Sequence, residues 1–309
     1  KMPMKTFMGK NFLLSNDVAK ALYHDVAAKL PIIDYHCHVS PKEIAEDKHY
    51  SNITELWLGG DHYKWRAMRL CGVDEEYITG GASDYDKFCA YCTIMPKLIG
   101  NPLYHWSHLE LKRYFDCDLI INETNADVIW AMCNEKLADP SMSVRNIIKN
   151  SGVKLLCTTD DPADSLEWHK LLADDESFDV QVLPAFRPDK GVNINKPGIG
   201  EYYQKLGAAA GVEIKDFDSL KAAYIQRIDF FASLGCKTAD HGFDEYRTFV
   251  QTNDYEANKI LKKAIETDGK ISEEELYKFK TALLTFLAAE YKKHGFVMQI
   301  HFGVLRNQN

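Results

Sequence analysis

Apolar positions along this chain follow two spacings, and the change from one to the other marks the elements. Val18, Ala21, Leu22 and Val26 recur at helical spacing after Ser15-Asn16-Asp17, which offers cap chemistry, so residues 10–30 predict a short arm and a helix. Pro31 ends that helix, and Ile32-Ile33-Asp34-Tyr35-His36-Cys37-His38 predicts a short buried strand. Residues 40–115 carry many Trp, Tyr, His and charged side chains in helix-like pieces without a strand pattern, which predicts a helical excursion. Residues 126–150 predict helix ending at Ser151-Gly152, followed by a strand over Val153–Cys157 and another over Val180–Phe186. Residues 217–234 form an amphipathic stripe that stops at Gly235, and a strand begins at Cys236 and ends in Asp240-His241. Residues 273–293 repeat the arrangement. Ser272-x-x-Glu275 is a capping box, Leu276, Phe279, Leu283, Phe286 and Leu287 make the stripe, Gly295 stops it, and a strand over Phe296–Ile300 ends in His301. Residues 189–200, rich in glycine and proline, predict a long loop.

Three helix–glycine–strand units thus finish in polar or ionisable residues, without a fixed sequence period. This is βα logic, with functional groups at strand C-termini. Many strands each delivering such groups to one rim favour a (β/α)8 barrel over a doubly wound sheet. The chain contains no Gly-x-Gly-x-x-Gly or phosphate-loop motif, which weakens a nucleotide-binding reading.

Composition narrows the classes further. With 309 residues, 46% hydrophobic and 27% charged, the chain can build a large core. A net charge of −8 argues against a general nucleic-acid binder. No apolar run approaches a membrane span, and the N-terminus lacks the apolar core of a signal peptide. Of the eight cysteines, only Cys89 and Cys92 form a close pair, with no second pair to complete a zinc knuckle. Read as unpaired, buried thiols, they point to a reducing cytoplasm.

The chemistry gathers at the predicted strand ends: His36, His38, Asp160, Asp161, Arg187, Asp240 and His301. His36 and His38 at i and i+2 share a face of an extended chain and suit a divalent metal, although a polar strand end has the same pattern. His301 is the natural third donor. Arg187 and Arg306 suit recognition of a carboxylate, or serve surface ion pairs. Asp240 fits a base, a ligand or an orienting partner, and its neighbour His241 points the other way. The stretch Gly59-Gly60-Asp61-His62-Tyr63-Lys64-Trp65-Arg66 reads either as a lid over a polar ligand or as the start of an amphipathic helix.

Taken together, these residues resemble one family. Asp34-Tyr-His-Cys-His38 resembles the first-strand metal motif of the amidohydrolase superfamily. The segments 58–69, Thr158-Thr-Asp-Asp-Pro162, Phe186-Arg-Pro-Asp-Lys190, Ala239-Asp-His241 and 298–308 are similar to the signature blocks of the uronate (glucuronate) isomerase family, in the family's order and across nearly the whole chain. The resemblance implies a single distorted (β/α)8 barrel domain over 1–309, with 40–115 as a helical insertion after the first strand. It implies interconversion of D-glucuronate with D-fructuronate, and of D-galacturonate with D-tagaturonate, in cytoplasmic hexuronate catabolism. The C2 proton leaves, an enediol forms, and a proton returns at C1, which requires a base, an acid and a group that stabilises the developing oxyanion. The implied cofactor is a divalent metal, usually zinc. His36, His38 and His301 map to the metal, Arg187 to the uronate carboxylate, His62 and Tyr63 to the sugar, and Asp240 and Arg306 to the polar wall. The partner is a small uronate sugar, with no nucleic acid or membrane, and the oligomeric state, homo-oligomer included, stays open.

One departure accompanies the resemblance. The family's pattern runs beyond the equivalent of Asn309, with at least two more strands, one ending in an Asp metal ligand. About five or six strands are countable here, too few to close eight. Residues 1–309 alone are therefore expected to be inactive and poorly stable, and a 1–309 protein with a normal isomerisation rate would sink that expectation. Two other readings remain at this stage: a hydrolase of the same superfamily, such as a lactonase or deaminase, and a non-catalytic fragment or assembly module.

Overall fold

A computed structural model gives the fold and describes residues 7–243 and 249–303. The chain divides into two units, one formed by Lys1–Ile32 and Glu46–Gly152, the other by Ile33–Ala45 and Val153–Gln308.

The first unit is helical. Asn16 caps Asp17–Ala21 as its position suggests, and the segment continues as a π turn over Leu22–Val26 and a 3-10 turn over Ala27–Lys29 before Pro31. Helices follow at Ile53–Leu58, His62–Leu70, Asp84–Ile94, Pro102–Phe115, Ala126–Leu137 and Val144–Asn150. Asn52, Asp61, Ser83 and Asn101 accept backbone N–H bonds at four of their N-termini. Trp57, Met68, Phe88, Tyr91, Leu111 and Ile129 are buried in their shared core. Residues 126–150 are helical as predicted, but as two helices separated by a turn at Pro140–Met142. Cys89 and Cys92 lie in a helix, and all eight cysteines are free.

The second unit carries the strands: β1 (Ile32–Asp34), β2 (Val153–Cys157), β3 (Gln181–Leu183), β4 (Ala185–Phe186), β5 (Thr238–Gly242) and β6 (Val297–His301). They form two three-stranded sheets, β1-β2-β3 and β4-β5-β6, with β2/β3, β4/β5 and β5/β6 parallel. The predicted strand over 180–186 is divided between the sheets at Pro184, which has no N–H to give to a ladder. Across that break the chain leaving β2 stays alongside: Asp160 N–H donates to Ala185 O at 3.1 Å, and Arg187 N–H to Asp160 O at 2.9 Å. The result is an α/β fold with parallel strands, and the two sheets do not by themselves make a closed barrel.

The helices Ile199–Ala210, Phe217–Ser233, Asp254–Glu266 and Glu273–His294 supply the core against these strands, with Phe186, Tyr224, Phe231 and Tyr291 fully buried. Local signals place their ends. The Ser272/Glu275 capping box forms, and Gly295 closes its helix at φ 68°.

Three expectations need correction. β1 is an edge strand, so Ile32 and Ile33 are 47% and 56% exposed, not buried. β5 begins at Thr238, two residues later than the predicted Cys236, and runs one residue past His241 to Gly242, where β6 still pairs with it. Residues 189–200 are not all loop: Asp189–Val192 is a short helix, and Ile199 begins a longer one. Among the described residues no helix is long and apolar enough to cross a membrane.

Candidate active site

The site is built around Asp240, in the middle of β5 and 0% exposed. Side chains alternate along a strand, so Thr238, Asp240 and Gly242 share one face while His241 turns to the other, as its position predicts. There the His241 ring packs on Tyr291, neither ring nitrogen has a partner among the described residues, and burial pushes its pKa down to about 4.

A carboxylate this deep requires compensating partners. Arg187, just past β4, donates from Nη1 to Asp240 Oδ2 at 2.7 Å. His301, at the end of β6, lies with Nε2 2.5 Å from Asp240 Oδ1. His36 Nδ1 is 3.6 Å from Oδ2. Arg187 is held on a second side, where Nε donates to Asp189 Oδ2 at 2.9 Å. Asp189 in turn accepts the Gly242 N–H, 3.1 Å from each carboxylate oxygen.

The His-x-His segment is fixed by contacts other than strand pairing. β1 ends at Asp34, so His36 and His38 lie just beyond it. Their rings stand edge-on, 4.9 Å apart and 87° between planes. Cys37 N–H bonds to Cys157 O, Thr159 Oγ1 donates to Cys37 O, and Gln299 Nε2 donates to Tyr35 O. These bonds bring His36 within 4.6 Å of the His301 ring, centroid to centroid. Burial lowers the His36 pKa, against the opposite pull of Asp240, which favours the neutral imidazole with a lone pair to offer. Its Nδ1 is buried without a hydrogen-bond partner among the described residues. Burial raises the Cys37 thiol to about 12.

His36, Asp240 and His301 can each present one donor atom, all within 4.8 Å of one another. Two imidazoles and a carboxylate suit a divalent transition metal. Of the three histidines expected at the metal, His36 and His301 are in this group and His38 is not; Asp240 takes the third place. Asp160 and Asp161, also strand-end candidates, are engaged elsewhere. Thr158 Oγ1 donates to Asp160 at 2.6 Å, and Asp161 accepts the Tyr202 hydroxyl at 3.0 Å. His62 and Tyr63 belong to the helical unit, exposed at the first two positions of a helix capped by Asp61. Arg306 lies outside the described residues. Asp189 and Gly242 had not been singled out, although Asp189 stands two residues after an arginine that ends a strand, and that spacing was the available signal.

Residues 4–309 match the glucuronate isomerase family. The chain belongs to that family. A uronate isomerase of Lachnospira eligens is 54% identical over 99% of this chain and 65% of its own length, and one of Haemophilus influenzae is 48% identical over 99% and 66%. Among solved structures, the uronate isomerase of Thermotoga maritima superposes with a TM-score of 0.89 at 33% identity, over 96% of this chain and 64% of that one. The glucuronate isomerase of Caulobacter crescentus, 23% identical with a TM-score of 0.85, shares the fold over 96% of this chain and 63% of that one. The chain therefore spans just under two thirds of the length of these glucuronate isomerase relatives.

Proposed function

We propose that the complete protein is a metal-dependent aldose–ketose isomerase that interconverts D-glucuronate with D-fructuronate and D-galacturonate with D-tagaturonate, in hexuronate catabolism. One observation carries this reading: His36, Asp240, His301 and Arg187 meet at the C-terminal ends of parallel strands in a chain of the glucuronate isomerase family. The C-terminal strand rim is where βα folds bind ligands.

His36, Asp240 and His301 would hold the metal, with zinc the best match to two imidazoles and a carboxylate. Bound there, the cation supplies Lewis-acid polarisation of the sugar oxygens. Arg187 binds the uronate carboxylate through the guanidinium edge that Asp189 and Asp240 leave open. Asp240 keeps the guanidinium and the His301 imidazole in register from within the sheet. For His38, His62, Tyr63 and Arg306 the assignments to metal and substrate rest on the family resemblance alone. The family's distorted (β/α)8 barrel and a cytoplasmic location belong to the same proposal. A carboxylate-binding arginine beside the metal group favours an acidic sugar over a lactone or an amine, so the hydrolase reading is set aside.

The test is to incubate the purified complete protein with D-glucuronate and follow ketose formation, before and after chelation. Ketose should appear, chelation should lower the rate by about 10-fold or more, and zinc should restore it. Hydrolysis of lactones or amines without any ketose would contradict the reading.

A further inference from the structure

Arg187 is clasped by two carboxylates on different nitrogens, and only one of them belongs to the metal-donor group. Asp240 takes Nη1 at 2.7 Å, and Asp189 takes Nε at 2.9 Å. An arginine on its flexible stem loses rotamer freedom when fixed, so a free Arg187 would meet a substrate oxygen at an entropic cost. Two anchors at separate nitrogens fix both the place and the plane of the fork before substrate arrives. They leave Nη2 as the donor nitrogen that neither carboxylate takes.

The second anchor is itself locked. Asp189 is the first residue of the short helix Asp189–Val192, and both its oxygens lie 3.1 Å from the Gly242 amide nitrogen on β5. Gly242 also supplies space. A Cβ there would sit 3.0 Å from Asp189 Oδ2 and 3.3 Å from Arg187 Nη2, inside the contact between the two side chains. Glycine at 242, aspartate at 189 and arginine at 187 therefore form one device spanning the β4 end and β5.

We propose that Asp189 is a positioning residue: it fixes the Arg187 guanidinium through Nε so that Nη2 faces the substrate carboxylate, and the missing side chain at Gly242 leaves room for that contact. This rests on the reading of Arg187 as the carboxylate-binding residue. Asp189 does not touch substrate. Its effect is on binding of the uronate, and an acceptor oxygen is sufficient to deliver it.

The experiment uses the complete, metal-loaded protein and steady-state kinetics with D-glucuronate. Asp189→Ala should raise KM by about 10-fold or more while kcat changes by less than about 3-fold, the scale of losing one hydrogen bond to a charged group. Asp189→Asn keeps an oxygen for Arg187 Nε and the Gly242 N–H, and should return KM to within about 3-fold of the unsubstituted protein. Gly242→Ala should raise KM as Asp189→Ala does, and carries the test if Asp189→Ala fails to fold. Unchanged KM in both alanine variants, or an Asp189→Asn protein as impaired as Asp189→Ala, overturns the positioning role. Arg187→Met separates the two failures. If it leaves KM unchanged, the carboxylate-binding reading falls; if it raises KM while both alanine variants do not, only the positioning role falls.

Discussion

Asp240→Asn is expected to lower kcat/KM for uronate isomerisation by about 10³-fold or more, larger than the 10- to 100-fold typical of a group that only orients a ligand. The substitution barely alters shape, so the effect comes from charge and from donor direction. Asp240 is fully buried and accepts from Arg187 on one oxygen and His301 on the other. An asparagine must turn its NH2 toward one of these donors. Either Arg187 or His301 then faces a donor beside a fully buried side chain, and the group His36, Asp240 and His301 loses its carboxylate. Steady-state assay of the complete variant with saturating zinc checks this. Activity within about 10-fold of the unsubstituted protein would remove Asp240 from the centre of the site.

The largest expected effect on stability lies away from the chemistry, at Arg227. Its guanidinium is buried on the helix Phe217–Ser233 and donates to three backbone carbonyls: Pro162 at 2.6 Å, Asp164 at 2.7 Å and Ala209 at 2.9 Å. It also lies over the Phe230 ring, 4.3 Å from the centroid. Arg227→Met fills much of the same volume but leaves three carbonyls without their donor, at about 1–3 kcal/mol each. Allowing for water reaching some of them, a loss of about 4 kcal/mol is expected, or a fall in Tm of about 10 °C for a chain of this size. Urea unfolding of the two proteins measures it, and a difference below about 1 kcal/mol would show that the loop 162–164 does not depend on this residue.

How far the sequence alone reached depends on the range of the interaction. The Ser272/Glu275 box and the Gly235 and Gly295 stops are made within a few residues, and each was legible. The helix Asp254–Glu266 was not read, although Asn253 caps it and Ala257, Ile260, Leu261 and Ala264 bury one stripe. The break at Pro184 was visible as a proline, but only the pairing of Asp160 with Ala185 and Arg187 shows why the chain stays beside β2. At the site, period-2 logic brought His36 and His38 together and set His241 apart from Asp240. The two rings do lie 4.9 Å apart, although β1 ends at Asp34, and His241 turns away from Asp240 because β5 continues through both residues. That Asp240 stands with His36 and His301 is a product of strand register, Gly242 opposite His301, which no local pattern carries.

The central claim is that His36, Asp240 and His301 form the metal centre, and zinc stoichiometry tests it most directly. The complete protein, dialysed to equilibrium against buffered zinc, should hold one tightly bound ion per chain at this centre. His36→Ala and His301→Ala, each checked for native circular dichroism, should both lose it. Stoichiometric, equally tight zinc in both variants would contradict the account.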